Sequence, residues 1–291
     1  MSETSGGQLA PEQPANVSVL PPASGMSADD VAALRDAVQR LEHPGFAARV
    51  AAIAGRPVEL IGQMLPAGAS QVIATATTRG LELALKAALR TMRGAPHPRS
   101  NLLHRALATA SGAAGGAFGL AALPVELPVS TVIMLRSIAA IARSEGEDLA
   151  DPEATLACVQ VFALGGRANS LDASESGYFA ARGLLAKSVT EAARFIAERG
   201  LLEEGSPVLV RFITQVAARF GVAVSQKAAA QALPVVGALG GATVNYVFIE
   251  HFQEIARGHF TVRRLERAYG KDVVRAEYER LAQVDLSDRK D

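Results

Sequence analysis

The stretch GLAALPVELPVSTVIMLRSIAAIA, residues 119–142, holds a single acidic residue within a long apolar run. Two prolines, Pro124 and Pro128, flank that acid, Glu126, and no further charge follows until Arg136. After Pro128 the apolar residues recur with helical rather than alternating spacing. The stretch predicts a helix that follows a proline-containing turn, and it raises the question of what one carboxylate does there.

Helical periodicity also runs through nearly all later segments of the 291-residue chain, and no segment has the alternation of a convincing strand. Hydrophobic residues make up 49% of the sequence while aromatic residues make up 5%, so Ala, Leu, Val and Ile supply most of the apolar character. Abundant Ala and Leu favour helix. Pairs such as Asp151-Pro152 and Ser206-Pro207 place proline where the first turn of a helix tolerates it. The sequence predicts one compact all-α domain.

The domain boundaries follow from composition. Residues 1–26 are rich in Pro, Gly and Ser and lack the regions of a secretory signal, so we expect a disordered tail. Ser27 and Asp30 have the spacing of a capping box before a helical apolar pattern. We therefore expect one all-α domain over residues 27–282 and a frayed tail over 283–291.

Three segments carry almost no charge: residues 60–78, 106–125 and 228–249. Two of them contain glycines one helical turn apart, although glycine disfavours helix by about 1 kcal/mol relative to alanine. Close approach of two helices is the benefit expected in return. The glycines predicted to lie at close helix contacts are Gly112, Gly115, Gly116, Gly119, Gly237 and Gly241.

Residues 106–142 predict a central helical hairpin that is rich in glycine and broken by proline. Its first arm would be 106–122, its turn LPVELP, and its second arm 129–142. Such a hairpin suits either a re-entrant loop dipping into a membrane or the core of a soluble bundle. We expect Glu126 to accept hydrogen bonds from amide groups beside the prolines. The alternative is a ligand site that includes Glu126 and Arg136.

Residues 256–275 form a basic amphipathic stretch, in which apolar side chains recur at helical spacing. One interpretation is a helix that packs its apolar stripe on the domain and leaves its arginines in solvent. The other is contact with anionic lipid, which contributes about 1 kcal/mol per basic residue. The candidate membrane-surface patch consists of Arg257, Arg263, Arg264, Arg267, Lys271 and Arg275.

Composition and motifs limit the chemistry. The formal net charge is zero and no nucleic-acid module is recognisable, so no nucleic-acid partner is expected. One cysteine, Cys158, excludes an internal disulfide and fits a reducing cytosol. His251 and Glu254 lie one turn apart, as metal ligands can, but ion pairing of Glu250 and Glu254 with arginines such as Arg257 is the alternative. The sequence predicts no cofactor, no metal and no enzyme activity.

Four segments together resemble the EcsC protein family: residues 123–149, 162–166, 221–245 and 248–270. The resemblance extends over about residues 28–282. The resemblance implies an all-helical bacterial protein. It also implies ABC transporter subunits as partners, because the family's namesake is encoded beside them. It carries over no catalytic or ligand residue.

Two function classes follow. The first is a non-enzymatic accessory or scaffold protein, cytoplasmic and peripheral on the inner face of the cell membrane, with a link to ABC-type transport. The second is a soluble helical module that binds a lipid or another apolar ligand. An enzyme that uses Glu126 or the pair His251 and Glu254 ranks third.

Overall fold

The computed structural model describes residues 25–42, 46–54, 65, 68–91, 122–166, 177–199, 206–231 and 237–288. Within these ranges the chain forms nine α-helices and no strand, in a single all-α domain as the periodicity predicts. The helices are α1 (Ala28–Glu42), α2 (Phe46–Ala54), α3 (Ala69–Thr91), α4 (Leu123–Ser144), α5 (Pro152–Gly165), α6 (Gly177–Arg199), α7 (Pro207–Gln231), α8 (Gly237–Tyr269) and α9 (Lys271–Asp288).

Helix α5 lies at the centre of the domain. It begins as the Asp-Pro pair predicts, because the Asp151 carboxylate accepts a hydrogen bond of 3.0 Å from the Glu153 N–H and Pro152 occupies the first turn. Every residue from 154 to 165 is buried. A helix without a polar face has to be covered on all sides, and α3, α4, α6, α7 and α8 all contact it.

An aromatic cluster fills the space where α5, α7 and α8 meet. The Phe162 ring lies 4.8 Å from the Phe220 ring and 5.5 Å from the Phe252 ring, measured between centroids. Phe248 continues the cluster 5.1 Å from Phe252 and reaches Phe46 of α2 at the same distance. Aromatic pairs of this kind add about 0.5–1.5 kcal/mol each beyond their buried area. They fix the spacing of the three helices.

The two ends of the domain agree only in part with the predicted boundaries. At the start of α1, the Ser27 hydroxyl oxygen accepts a hydrogen bond of 3.1 Å from the Asp30 N–H, which confirms the predicted cap. At the other end, the expected frayed tail over 283–291 is wrong for 283–288, because α9 continues to Asp288. No glycine or proline follows Gly270 to stop that helix. Residues 1–24 and 289–291 lie outside the described residues.

The predicted turn LPVELP is wrong, because α4 already begins at Leu123 and continues without interruption to Ser144. Pro124 sits in the first turn, where a missing N–H costs nothing. Pro128 lies inside the helix, and the hydroxyl of Thr131 donates a hydrogen bond of 2.7 Å to the Leu127 carbonyl beside it. The Ser130 hydroxyl donates to the same carbonyl at 3.1 Å. The predicted first arm of the hairpin lies almost wholly outside the described residues.

The glycines predicted at close contacts fall where the structure gives no account of their surroundings. Gly237 and Gly241 belong to the first turns of α8, but their neighbours are not described. The other predicted positions, Gly112, Gly115, Gly116 and Gly119, lie outside the described residues. Their close packing stays a prediction.

Close helix approaches occur at glycines that the sequence did not single out. A Cβ added to Gly166 would lie 2.1 Å from the Arg219 carbonyl oxygen of α7. A Cβ on Gly258 would lie 2.7 Å from the Leu41 Cγ of α1. These two positions leave no room for a side chain, so glycine lets α7 and α1 approach their neighbours.

Gly166→Ala is expected to lower the free energy of unfolding by about 1–3 kcal/mol, because the new methyl group meets a backbone carbonyl that cannot rotate away. Gly183→Ala is the matched control, since Gly183 lies in α6 with nothing within 4 Å of an added Cβ. Alanine there is expected to stabilise the helix by about 0.5–1 kcal/mol. Urea unfolding of both variants measures the difference, and equal midpoints would contradict the close approach.

Candidate functional site

A buried ion pair joins the start of α4 to the end of α7. The Lys227 Nζ donates a hydrogen bond of 2.7 Å to the Glu126 Oε1. The Lys227 side chain is 0% exposed and that of Glu126 is 6% exposed. The expected amide partners for Glu126 are therefore replaced by a lysine 101 residues away in the sequence. Its place in the first turn of α4 still suits a carboxylate, as the helix dipole predicts.

The third wall of this site comes from α8. The Lys227 Nζ lies 4.9 Å above the centre of the Phe248 ring, within the range of a cation–π contact. The pair thus brings together residues 123–135 of α4, 220–231 of α7 and 242–249 of α8. Glu126 and Lys227 are the only charged residues in these three segments. We call this region the neutral end.

Apolar side chains reach the surface at the neutral end. Val125 and Val129 lie one turn apart on α4 and are 74% and 49% exposed. Exposed apolar residues also occur singly elsewhere in the domain, which is ordinary for a protein surface. The two valines differ because they lie on one of three segments whose charged residues, Glu126 and Lys227, are paired inside the fold.

The opposite end of the domain is ionic. Helices α4 and α8 run in the same direction, because Ser137 bonds Gln253 at 2.6 Å and Glu147, just past α4, bonds Arg263 further along α8. Arg263 donates to Glu147 at 2.8 Å and 3.0 Å, and Arg267 also contacts that carboxylate. These guanidinium groups hold the pKa of Glu147 below its usual value in spite of its burial. We call this region the charged end.

The arginines of the candidate membrane-surface patch take part in ion pairs within the domain. Arg264 contacts Asp30 at 3.0 Å and Glu145 at 2.9 Å, so it ties α1 to the turn after α4. Arg257 contacts Glu254 one turn away. Arg263 and Arg267 belong to the charged end. Acidic residues of the same domain therefore balance these charges, in place of the anionic lipid that one interpretation of the stretch expects.

The patch is also divided between two helices. Gly270, with φ of 89°, separates α8 from α9, so Lys271 and Arg275 lie on the second helix. Arg275 contacts Glu279 at 2.8 Å and covers the Phe179 ring at 5.5 Å. The six basic residues therefore do not form one helical stripe.

The other candidate residues are not brought together. Arg136 is exposed, and it lies about 15 Å along α4 from the buried Glu126, so the two do not form one ligand site. His251 bonds the Gly165 carbonyl at 2.7 Å. Glu250 pairs with Arg49, and Glu254 contacts Arg40 as well as Arg257. In the part of the chain that the structure describes, no three His, Cys, Asp or Glu side chains meet as a metal site.

The match to a family model covers residues 29–265, from the first turn of α1 to the charged end. The chain belongs to the EcsC protein family. Comparison with curated proteins and with solved structures gives no match. The segments of the EcsC match include both partners of the buried pair and all three helices of the neutral end.

A second buried polar network ties α6, α8 and α9 together in this EcsC domain. The His259 Nδ1 lies 2.8 Å from the Tyr178 hydroxyl, and Arg182 beside it makes two bonds of 2.7 Å to Glu266. The Tyr278 ring stacks on Tyr178 with centroids 5.5 Å apart. The His259 Nε2 is buried without a hydrogen-bond partner in the described part of the chain.

Protonation states in this network follow from burial. Loss of solvent lowers the pKa of His259 well below its usual value, and the positive charges of Arg182 and Arg263 lower it further. Burial also raises the pKa of Tyr178 to about 12. Both groups are therefore neutral at physiological pH. Burial likewise raises the pKa of Cys158, which makes that thiol a core side chain rather than a nucleophile.

Within the described residues, α4 and α7 are long and apolar enough to cross a bilayer by length and composition. About two thirds of the apolar window of α4 is buried inside the domain, and about one third of that of α7. Buried core helices of soluble proteins pass the same test of length and composition.

Sequence reasoning missed Lys227, although a signal for it exists. Lys227 stands alone in an uncharged run, just as Glu126 does, and the two charges have opposite signs. If both apolar helices are buried, two lone charges of opposite sign are expected to pair, because an unpaired buried charge is strongly destabilising. The partner of Glu126 was therefore available from the sequence.

Glu126→Gln is expected to lower the free energy of unfolding by about 3–5 kcal/mol, because it leaves the Lys227 ammonium buried without an anion. If backbone amide groups held the Glu126 carboxylate instead, the glutamine side chain would still accept their hydrogen bonds, and the same variant would lose little stability. Glu126→Gln combined with Lys227→Met is expected to recover most of the loss. Chemical unfolding of the two variants measures these free energies. A Glu126→Gln variant that is about as stable as the wild-type protein would contradict the buried ion pair.

His259 is expected to make stability depend on pH below its unfolded pKa of about 6.5. The folded state holds this group neutral, so its contribution is present above pH 6.5 and is lost as the unfolded chain takes up a proton below that pH. The free energy of unfolding should fall by up to about 1.4 kcal/mol per pH unit between pH 6.5 and 5. Glu147 and Asp30, whose pKa values are lowered, lose their contributions only below about pH 4.5.

His259→Gln is the control for this pH dependence. The slope between pH 6.5 and 5 should be smaller in the variant than in the wild-type protein, whatever the variant's stability at neutral pH. Unfolding measured in urea at several pH values gives both slopes, and equal slopes would show that His259 is not the responsible group.

Proposed function

We propose that the protein is a non-enzymatic EcsC-family accessory or scaffold protein that associates with membranes through its neutral end. The observation that carries this proposal is the separation of charge along the domain. One end has three charge-poor helix segments and a closed ion pair, while the arginines and acids of the other end are paired in the fold. An apolar surface without unpaired charge is the kind that a bilayer interface accepts.

The length of α4 supports the same proposal. Helix α4 has 22 residues and is about 33 Å long, so it leads from the neutral end to the charged end. In this arrangement the charged end points away from the lipid and remains in water. The contact is peripheral or re-entrant at the neutral end, on the cytoplasmic face of the membrane, where a single buried cysteine is compatible with the reducing compartment.

The paired state of the ionisable groups supports a non-enzymatic role. Glu126 is ion-paired with Lys227, His251 makes a hydrogen bond to a backbone carbonyl, and Cys158 is buried with its thiol protonated. Catalytic acids, bases and nucleophiles need access to a substrate. The family's namesake is encoded beside ABC transporter subunits, so we propose transporter subunits as protein partners.

The alternative, a module that encloses an apolar ligand, has less support. The open groove along one face of α3 is lined by polar as well as apolar side chains, including Gln71, Thr75, Arg79, Glu82 and Lys86. A lipid chain would require an enclosed apolar chamber instead.

Val125→Asp combined with Val129→Asp is expected to reduce flotation of the purified protein with phosphatidylcholine and phosphatidylglycerol vesicles by about tenfold or more, because two apolar side chains can no longer enter the interface. Val284→Asp is the matched control, since Val284 on α9 is 46% exposed, much as Val129 is. Thermal unfolding should show that all variants are folded. Failure of the wild-type protein to float, or an equal loss in the control, would contradict the proposal.

A further inference from the structure

We propose that the protein associates with a second copy of itself through the outer face of α3, in a two-fold arrangement that pairs Arg79 of each copy with Glu82 of the other. These two residues lie one turn apart in the middle of α3, and both side chains are exposed. The inference uses other side chains than Val125 and Val129. It therefore goes beyond the proposed membrane contact and does not depend on it.

The first support is that α3 has one buried face and one open face. Ile73, Gly80 and Ala84, which recur at helical spacing, are buried, and α3 packs mainly on α4 and α7. Within the described residues, side chains of α3 alone line the open groove on its other side. We call this side the outer face, and its exposed residues include Val72, Ala74, Thr75, Arg79, Glu82 and Leu83.

The second support is the state of the two charges on the outer face. Glu277 and Arg280 on α9 have the same spacing of three residues and form an ion pair. There the glutamate comes first, which is the favourable order along a helix, whereas Arg79 precedes Glu82. In the part of the chain that the structure describes, neither Arg79 nor Glu82 makes an ion pair. Both charges are therefore available to a partner that presents the opposite charge.

The third support is the position of these charges along the helix. Helix α3 covers Ala69–Thr91, so its midpoint is Gly80, and the midpoint between Arg79 and Glu82 falls between residues 80 and 81. A two-fold axis through that point sets two α3 helices antiparallel and brings residue 79 of each copy opposite residue 82 of the other. An isologous interface has to be self-complementary, and two neighbouring opposite charges at the centre of a helix meet this condition.

The other side chains of the outer face suit a contact between helices. Ala74 and Thr75 are small, and small contact residues allow two helices to pack at the short end of the usual distance of about 8–10 Å between axes. Val72 and Leu83 are 41% and 42% exposed and supply apolar contact beside the charges. A bilayer would instead have to accept two charges without partners, which is strongly disfavoured. A second copy therefore fits this face better than lipid does.

The experiment measures the mass of the full-length protein by analytical ultracentrifugation over a range of concentrations, where the wild-type protein is expected to form a dimer. Arg79→Glu and Glu82→Arg should each weaken the dimer by about tenfold or more, because each change places like charges opposite one another at two symmetric points. Arg35→Glu is the matched control. Arg35 on α1 is also exposed and also makes no ion pair among the described residues, so its reversal should leave the dimer unchanged.

A mixture of the two single variants tests the two-fold pairing itself. In a mixed dimer, the two acidic side chains of the Arg79→Glu chain face the two basic side chains of the Glu82→Arg chain. The mixture should therefore dimerise at a concentration where each variant alone is monomeric. Arg79→Glu combined with Glu82→Arg in one chain should dimerise as well, because the pair is only reversed.

Three results would overturn the inference: a wild-type protein that stays monomeric, a dimer that both single variants leave intact, or a mixture of folded variants that does not associate. Circular dichroism checks that each variant is folded. If one single variant does not fold, the reversed double variant and the other single variant still decide between pairing and its absence. Flotation with vesicles is a separate measurement, so the membrane proposal stands or fails independently of the dimer.

Discussion

A helix without a polar face sets the main constraint on this domain. Residues 154–165 of α5 are buried on every side, so five other helices have to pack around it. Glycines at the end of α5 allow the closest of these contacts, and Phe162 sets the spacing to α7 and α8 through its ring contacts. Polar side chains that turn inward from the surrounding helices then have no access to water. They are stable only if they find partners inside the protein, which is why the domain contains several buried polar pairs.

These pairs are distributed unevenly along the domain. Toward the charged end, Arg263 with Glu147 and Arg182 with Glu266 connect elements that are far apart in sequence, and His259 with Tyr178 is enclosed among them. Guanidinium groups suit this task because their planar fork meets a carboxylate at two points. Toward the neutral end, one lysine and one glutamate suffice because residues 123–135, 220–231 and 242–249 contain no other charge. The same architecture thus produces an ionic end and an apolar end from a chain whose net charge is zero.

The sequence predicted features that depend on local spacing. Helical periodicity, the place of Pro152 in the first turn of α5 and the Ser27 cap each involve residues within a few positions of one another, and the structure confirms all three. Pro128 was predicted to end a turn, yet α4 includes it, because packing inside the bundle outweighs the local rule. The partners of Glu126 and Arg264 lie 101 and 234 residues away. Local spacing does not identify partners at such separations. The lone opposite charges of Glu126 and Lys227 were a signal for one of them, but nothing in the basic stretch pointed to the acids that its arginines meet in the fold.

Stability alone does not explain why an ion pair lies at the neutral end. Two apolar side chains of similar volume would avoid the desolvation of both charges, and such replacements in other proteins are often neutral or stabilising. An ion pair adds selectivity, because the end of α7 can dock on the start of α4 only where Lys227 meets Glu126, and a shift by one turn would bury both charges unpaired. The same ion pair keeps both of these charges away from the surface that carries Val125 and Val129. On the proposed membrane contact, the interaction that fixes the register of two helices is therefore also the one that makes their common end acceptable to lipid.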